Sequence, residues 1–392
     1  MLDFTFSQPT VCVFGRESEN ALKEQLAGRA TRVLFHYGGG SIKKNGIYDM
    51  VVRVLGNLGI SFIELGGAQP NPRVAMVREG IKLCRDNKLD FILAVGGGSA
   101  IDSAKAIALG VPYDGDIWDM FSGEASPSDL KAPLPPIGVI LTIPAAGSES
   151  SSGSVITNDD GMLKRAVVTD LFKPVFAILN PEYTYTLPPY QVACGCSDIM
   201  AHMFERYFTK VKDVDVTDRL LEANMRSVIH YSKLAQDFPE DYGIKAEIMW
   251  AGTIAHNEML SCGRTGDWGS HDIEHELSGI YDIYHGEGLS IVCPAWIRYC
   301  WRDDPPLFTQ FFRRVFDVDY AMDQDERVIN EGLNRLKAYY RSLGLPVRLS
   351  EVNIGGDRLR EMAEKCVMGR GTIGDFKELG AEDVYNIYML AL

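Results

Sequence analysis

Asp90-Phe91-Ile92-Leu93-Ala94-Val95-Gly96-Gly97-Gly98-Ser99 joins an apolar run to three glycines, and a helical pattern then follows from Ser99 to Leu109. A short, wholly apolar run bounded by glycines reads as a strand buried on both faces, as in a parallel sheet. The texture repeats on either side. Arg32-Val33-Leu34-Phe35 leads to Gly38-Gly39-Gly40, Phe62-Ile63-Glu64-Leu65 is a second strand, and Ile137–Ile143 and Val175–Leu179 supply two more. Asn71–Asn87 carries apolar residues at helical spacing. Strands alternating with helices imply βαβ units and a parallel sheet.

Beyond Thr186-Leu187-Pro188-Pro189 the pattern becomes helical through to residue 392, and the prolines mark a boundary. The expected architecture is an α/β domain over 1–188 and an all-α domain over 189–392. A ligand is expected in a cleft between them. The Ser-, Pro- and Gly-rich stretch 122–136 reads as an exposed loop.

At Gly96-Gly97-Gly98-Ser99 the absence of side chains lets backbone N–H groups approach a phosphate, and the following helix adds its positive end. The same glycines also serve as a plain βα turn. The spacing is not GxGxxG, so the ordinary dinucleotide fingerprint is absent. Ser99 and Asp102 fit an S-x-x-D capping pattern. After the first strand, Gly38-Gly39-Gly40-Ser41-Ile42-Lys43-Lys44 offers glycines, a hydroxyl and two lysines where a carboxylate would repel a 2′-phosphate. That combination favours NADP over NAD.

The formal net charge of -14 argues against an electrostatic grip on nucleic acid or an anionic membrane. Eight cysteines form no CxxC pair, which fits reduced, mostly buried thiols. The N-terminus lacks a basic, then apolar, leader pattern and no segment has the length of a membrane span, so a cytoplasmic location is expected.

Asp198 and His202 are spaced i, i+4 in a helical stretch, as are His271 and His275, and His285 follows in His285-Gly286-Glu287-Gly288. Spacing of four places each pair on one helix face. One carboxylate with several imidazoles suits a divalent ion such as Zn²⁺ or Fe²⁺, with Mn²⁺ or Ni²⁺ also accepted. His36, His230 and His256 read as packing residues.

Tyr37-Gly38-Gly39-Gly40-Ser41-Ile42-Lys43-Lys44, Asn71-Pro72, Gly96 to Lys105, Pro144-Ala145-Ala146-Gly147-Ser148-Glu149, Asp198 to His202, Trp268 to Ser278 and His285 to Leu289 occur in this order along the chain. With these blocks it resembles the iron-containing (group III) alcohol dehydrogenase family, and within it the NADPH-dependent butanol dehydrogenase branch. The resemblance implies a dehydroquinate-synthase-like fold, with a dinucleotide-binding α/β domain and a helical metal-binding domain. It implies metal ligands at Asp198, His202, His271 and His285, and makes His275 a proton-handling residue. It places Gly97, Gly98 and Ser99 on the pyrophosphate, Asp102 and Thr142 near the nicotinamide end, and Asn71 in the cofactor site. It also implies a homodimer. Tyr284 stands where a proline often precedes the last ligand histidine, and glycine stands where NAD users often carry aspartate.

The reaction expected is hydride transfer between NADP(H) and a small primary alcohol or aldehyde such as butanol or butanal. One rival is a non-redox, metal- and NAD-dependent lyase of the dehydroquinate synthase type. It would require more basic residues than the stretch from Trp268 to Leu289 offers. The other is a catalytically silent nucleotide-binding scaffold.

Overall fold

Parallel strands buried on both faces need helices above and below, and the computed structural model, which describes all residues from Met1 to Leu392, builds this arrangement in its first unit. In chain order the elements are β1 (Val11–Phe14), α1 (Ser18–Leu26), β2 (Arg32–Tyr37), α2 (Ser41–Lys44), α3 (Ile47–Asn57), β3 (Ser61–Gly66) and α4 (Val74–Asn87). They continue with β4 (Phe91–Gly96), α5 (Gly98–Gly110), α6 (Ile117–Ser122), β5 (Ile137–Leu141), β6 (Gly153–Asn158), β7 (Leu163–Val168) and β8 (Phe176–Leu179). The sheet order is β1-β8-β5-β4-β2-β3, every pair parallel, and β6 and β7 form a separate antiparallel ribbon.

This order places the cofactor turns. The chain leaves β2 outward to β3, then returns past β2 to β4 and on to β5. The winding therefore reverses between β2 and β4, where open α/β sheets bind ligands at the carboxyl ends of their strands. Tyr37 and Val95 are ladder partners there, and both triple-glycine turns begin just beyond them. Phe91 to Val95 are fully buried, as is α5 from Ile101 to Leu109 apart from a trace at Asp102. His36, read as a packing residue, is buried with both ring nitrogens engaged, Nδ1 at the Leu65 carbonyl (2.8 Å) and Nε2 at Ser103 Oγ (2.6 Å).

Several local readings needed the structure. Strand β1 and the β6–β7 ribbon were not among the strands expected. Helix α4 starts at Val74 rather than Asn71, which sits at a left-handed φ of 52°. Helix α5 begins at Gly98 with Gly97 as its cap, so Ser99 lies inside the helix and makes no capping bond. Asp102 does not cap either. Its carboxylate accepts from Ser148 Oγ (2.7 Å) and Val155 N–H (2.9 Å), tying α5 to the ribbon.

The second unit comprises Met1–Phe6 with Pro188–Leu392, the first being Ser7–Leu187. Its helices are α7 (Pro189–Tyr207), α8 (Asp215–Asp237), α9 (Tyr242–His256), α10 (Gly269–Tyr281), α11 (His285–Cys300), α12 (Pro305–Phe316), α13 (Asp325–Ser342), α14 (Leu359–Cys366) and α15 (Ala381–Ala391). Pro189 occupies the first turn of α7, where its missing N–H costs nothing. From Val192 to Tyr207 every residue of α7 is buried, so this helix is the axis of the unit. It packs against α8, α9 and α11. No helix is long and apolar enough to cross a membrane.

Strand β5 approaches β8 closely because Gly138 has no side chain: a Cβ there would lie 2.3 Å from Phe176 Cζ. Gly138→Ala is expected to lower stability by about 1–3 kcal/mol through overpacking, read as a lower urea midpoint. An unchanged midpoint would mean the Phe176 ring relaxes freely.

Candidate metal centre and cofactor turns

Helix α7 is buried all round, so any charge it carries must be met by protein groups or by an ion. Asp198 and His202 lie one turn apart on it, and both are buried. Helix α10 brings His271, and α11 begins at His285, the first residue after its cap Tyr284. Helix α11 can dock this closely because Gly286 has no Cβ, which would lie 2.0 Å from the Cys194 carbonyl oxygen on α7.

The four residues converge on one atom. Asp198 Oδ1 lies 3.2 Å from His202 Nδ1, 3.9 Å from His271 Nε2 and 3.8 Å from His285 Nε2. Donors bonded at ~2.1 Å around a tetrahedral ion stand roughly 3.4 Å apart, so the His271 and His285 Nε2 separations suit a shared cation, and the ligand atoms of Asp198, His202 and His271 all lie within 4.8 Å of one another. Both Asp198 Oδ1 and His271 Nε2 are buried without a hydrogen-bond partner. Buried polar atoms are seldom left so, and two of them facing each other in a carboxylate–imidazole set fit a divalent ion.

The outer edges of the rings are held. His271 Nδ1 donates to Glu205 Oε1 (2.7 Å), which also accepts from the His271 N–H (3.0 Å) and Ser270 Oγ (2.5 Å). His285 Nδ1 is bonded to Glu274 Oε2, and His202 Nδ1 to the Asp198 carbonyl oxygen (2.9 Å). With Nδ1 engaged on each ring, Nε2 is the nitrogen presented inward. Sequence reading missed Glu205 and Glu274. The signal was there: Glu205 is three residues after His202, and Glu274 three after His271, each on its neighbour's helix face.

The electrostatics agree. Burial would raise the Asp198 carboxyl, but the His202 and His285 rings hold it well below the usual carboxylate range. Burial also opposes charge on His271, yet the Asp198 and Glu205 carboxylates push its pKa up to about 9. Positive charge is favoured on His271, while burial pushes the neighbouring His202 ring down. His275, one turn beyond His271 and 7% exposed, stands beside the set, its ring 5.6 Å from that of His285. Glu274, His275 and His285 also cluster, but Glu274 is already bonded to His285 Nδ1 and Ser278 Oγ, which leaves it supporting the ring rather than sharing an ion with it.

In the α/β unit the two glycine turns and Thr142 flank the switch point. Gly97, Gly98 and Ser99 are half-buried at the start of α5. A Cβ on Gly97 would meet Ile143 at 2.9 Å. The Thr142 N–H donates to the Gly96 carbonyl (3.0 Å), and a Cβ on Gly96 would lie 3.8 Å from the Gly38 nitrogen, so the two turns are neighbours. Gly39, Gly40, Ser41, Lys43 and Lys44 are exposed. Lys43 folds back, its Nζ 3.9 Å from Glu64 Oε2 and 4.7 Å from the Tyr48 ring centre. Asn71 is buried, and its Oδ1 accepts from Lys164 Nζ (3.0 Å), a buried lysine that sequence reading passed over.

The model of the iron-containing alcohol dehydrogenase family matches residues 9–181, and that of the C-terminal domain of Fe-containing alcohol dehydrogenases matches 192–392. The chain belongs to the iron-containing alcohol dehydrogenase family. Among its relatives, the NADH-dependent butanol dehydrogenase A of Clostridium acetobutylicum is 44% identical, over 99% of both chains. The NADPH-dependent aldehyde reductase YqhD of Escherichia coli is 36% identical over the full length of both. The crystal structure of NADH-dependent butanol dehydrogenase A from Thermotoga maritima superposes with a TM-score of 0.95 at 35% identity, covering 100% of this chain and 99% of that one. As a member of the iron-containing alcohol dehydrogenases, the chain is an alcohol/aldehyde oxidoreductase that uses a divalent metal and a nicotinamide cofactor.

Glu205→Gln is expected to weaken Zn²⁺ affinity by about 10- to 100-fold, the usual effect of removing an outer carboxylate from a ligand histidine. Competition with a chromophoric chelator measures it. Affinity equal to the unmodified chain would remove Glu205 from the account.

Proposed function

We propose that the enzyme interconverts small primary alcohols and aldehydes such as butanol and butanal, with NADP(H) as its coenzyme. The ion is held by Asp198, His202, His271 and His285. The observation that carries this reading is the pair of partnerless buried atoms, Asp198 Oδ1 and His271 Nε2, with His285 Nε2 beside them.

When bound, the ion supplies Lewis acidity toward the substrate oxygen and the nicotinamide supplies or accepts hydride. The chain's own part is positioning and charge. Asp198 contributes the one negative ligand, while Glu205, Glu274 and the Asp198 carbonyl fix the three rings with Nε2 inward. His275, buried beside His285, handles the proton of the substrate oxygen. Gly97, Gly98 and Ser99 present backbone N–H groups to the pyrophosphate at the head of α5, Asp102 and Thr142 lie toward the nicotinamide end, and Asn71 belongs to the cofactor site.

Preference for NADPH is supported by the turn after β2. Gly38, Gly39 and Gly40 put no carboxylate there, Gly39 and Gly40 face open space, and Ser41, Lys43 and Lys44 follow. The nearby Glu64 carboxylate is occupied by the Tyr37 and Tyr48 hydroxyls at 2.7 and 2.6 Å. Relatives divide on this point, the Clostridium enzyme being named for NADH and the Escherichia coli reductase for NADPH. A cytoplasmic homodimer completes the reading. Strand β1, at the sheet edge, leaves Val11 and Phe14 exposed for such pairing.

Absorbance of NADPH with butanal, before and after chelation, tests the core of this. Metal-restored NADPH oxidation is expected, and its absence with any aldehyde would contradict it. Gly38→Asp should lower kcat/KM for NADPH relative to NADH by roughly tenfold, since a carboxylate repels the 2′-phosphate. An unchanged ratio would detach the turn from coenzyme choice. His271→Ala should lose ion and activity together, whereas His275→Ala should keep the ion by elemental analysis and lose rate. Loss of the ion from the His275 variant would make it a ligand.

A further inference from the structure

Arg206 follows His202 by one turn of α7, and only 1% of it is exposed. Its Nη1 donates to the His202 carbonyl (3.0 Å), its Nε to Ser261 Oγ (2.9 Å) and its Nη2 to His256 Nδ1 (2.7 Å). A guanidinium offers only donors and keeps its proton. His256 Nδ1 must therefore accept, which leaves that ring neutral with its hydrogen on Nε2. The His256 ring stands 4.3 Å from the His202 ring. Arg206 also lies over the face of Trp268, 5.0 Å from its centre, and Trp268 is 5.3 Å from the His271 ring. Only uncharged rings separate this guanidinium from two of the proposed ligands.

Glu258, with which it pairs at 3.9 Å, has a side chain 29% exposed and so screened by water. A positive charge buried beside a cation site opposes occupation of that site. It does something else as well. Asp198, Glu205 and Glu274 are the carboxylates that touch the ligand set, and against a divalent ion alone they would leave it negative. One guanidinium offsets that remaining charge.

We propose that Arg206 is a positioning residue of the metal centre, whose buried charge acts past the neutral His256 ring to raise the potential at the ion. Negative charge developing on the substrate oxygen is thereby accommodated, at the expense of ion affinity. This rests on the ion site proposed above.

The test compares Arg206→Met with Arg206→Lys, side chains of similar length that differ in charge. Both are made in the full-length chain and checked for fold by circular dichroism. Zn²⁺ dissociation constants come from chelator competition on the metal-free proteins, and kcat is measured with butanal after loading. The Met variant is expected to bind Zn²⁺ roughly tenfold or more tightly than the Lys variant, as Coulombic interaction at short range requires, while its kcat falls below that of the Lys variant. A role in packing alone would weaken binding and turnover together in both. That result, or equal dissociation constants for the two, would overturn the proposal. If the Met variant does not fold, Arg206→Gln replaces it with the same expectation, since it retains a donor for the His202 carbonyl. An unmodified chain that binds no Zn²⁺ would instead overturn the proposed ion site itself.

Discussion

A buried carboxylate oxygen with no hydrogen-bond donor, surrounded by imidazoles, is the constraint on which the helical unit turns. Taking an ionised carboxylate out of water costs several kcal/mol unless opposite charge meets it. Here the opposing groups are His202, His271 and His285, each arriving from a different place: one turn along the same helix, the first turns of α10, and the N-terminus of α11. Each ring is tethered behind by its own acceptor. The donors are thereby oriented before any ion arrives, and orientation fixed by packing is what a catalytic metal site requires.

The rest of the unit can be understood as serving that arrangement. Helix α7 is enclosed along its length, which excludes water from Asp198. Gly286 removes the atom that would hold α11 away from α7. Gly288 does the same toward α10, since a Cβ there would lie 2.5 Å from Glu274 Oε1. In the α/β unit the corresponding constraint is topological. Reversal of winding between β2 and β4 opens the sheet at its carboxyl edge, and the two glycine turns keep that edge free of side chains.

What was legible in the sequence followed from periodicity and spacing. The buried strand Phe91–Val95, its glycine turn and the helical half after Pro188 could be read because each has a strong one-dimensional signature. Asp198 with His202, and His271 with His275, could be paired because a helix fixes what four residues mean. Convergence of α7, α10 and α11 has no such signature, and resemblance to a family supplied it. Glu205 and Glu274 were passed over for a related reason: their spacing from His202 and His271 could be read, but acidic residues on a helix are ordinarily solvated, and only burial reveals these two as tethers. The β6–β7 ribbon escaped because Ser154, Thr157 and Lys164 are buried polar residues, which blur the alternation that marks a strand. Ser99 matched a capping pattern two residues too late, since Gly97 is the cap and Gly98 had already started the helix.

The central claim is one of coordination, so the most direct measurement is anomalous diffraction at the metal edge from crystals of the chain loaded with Zn²⁺ or Fe²⁺. The account predicts a single strong peak in each helical unit, within ~2.0–2.2 Å of an Asp198 oxygen and the Nε2 atoms of His202, His271 and His285. A peak held instead by Glu274 and His275, or none near Asp198, would contradict it.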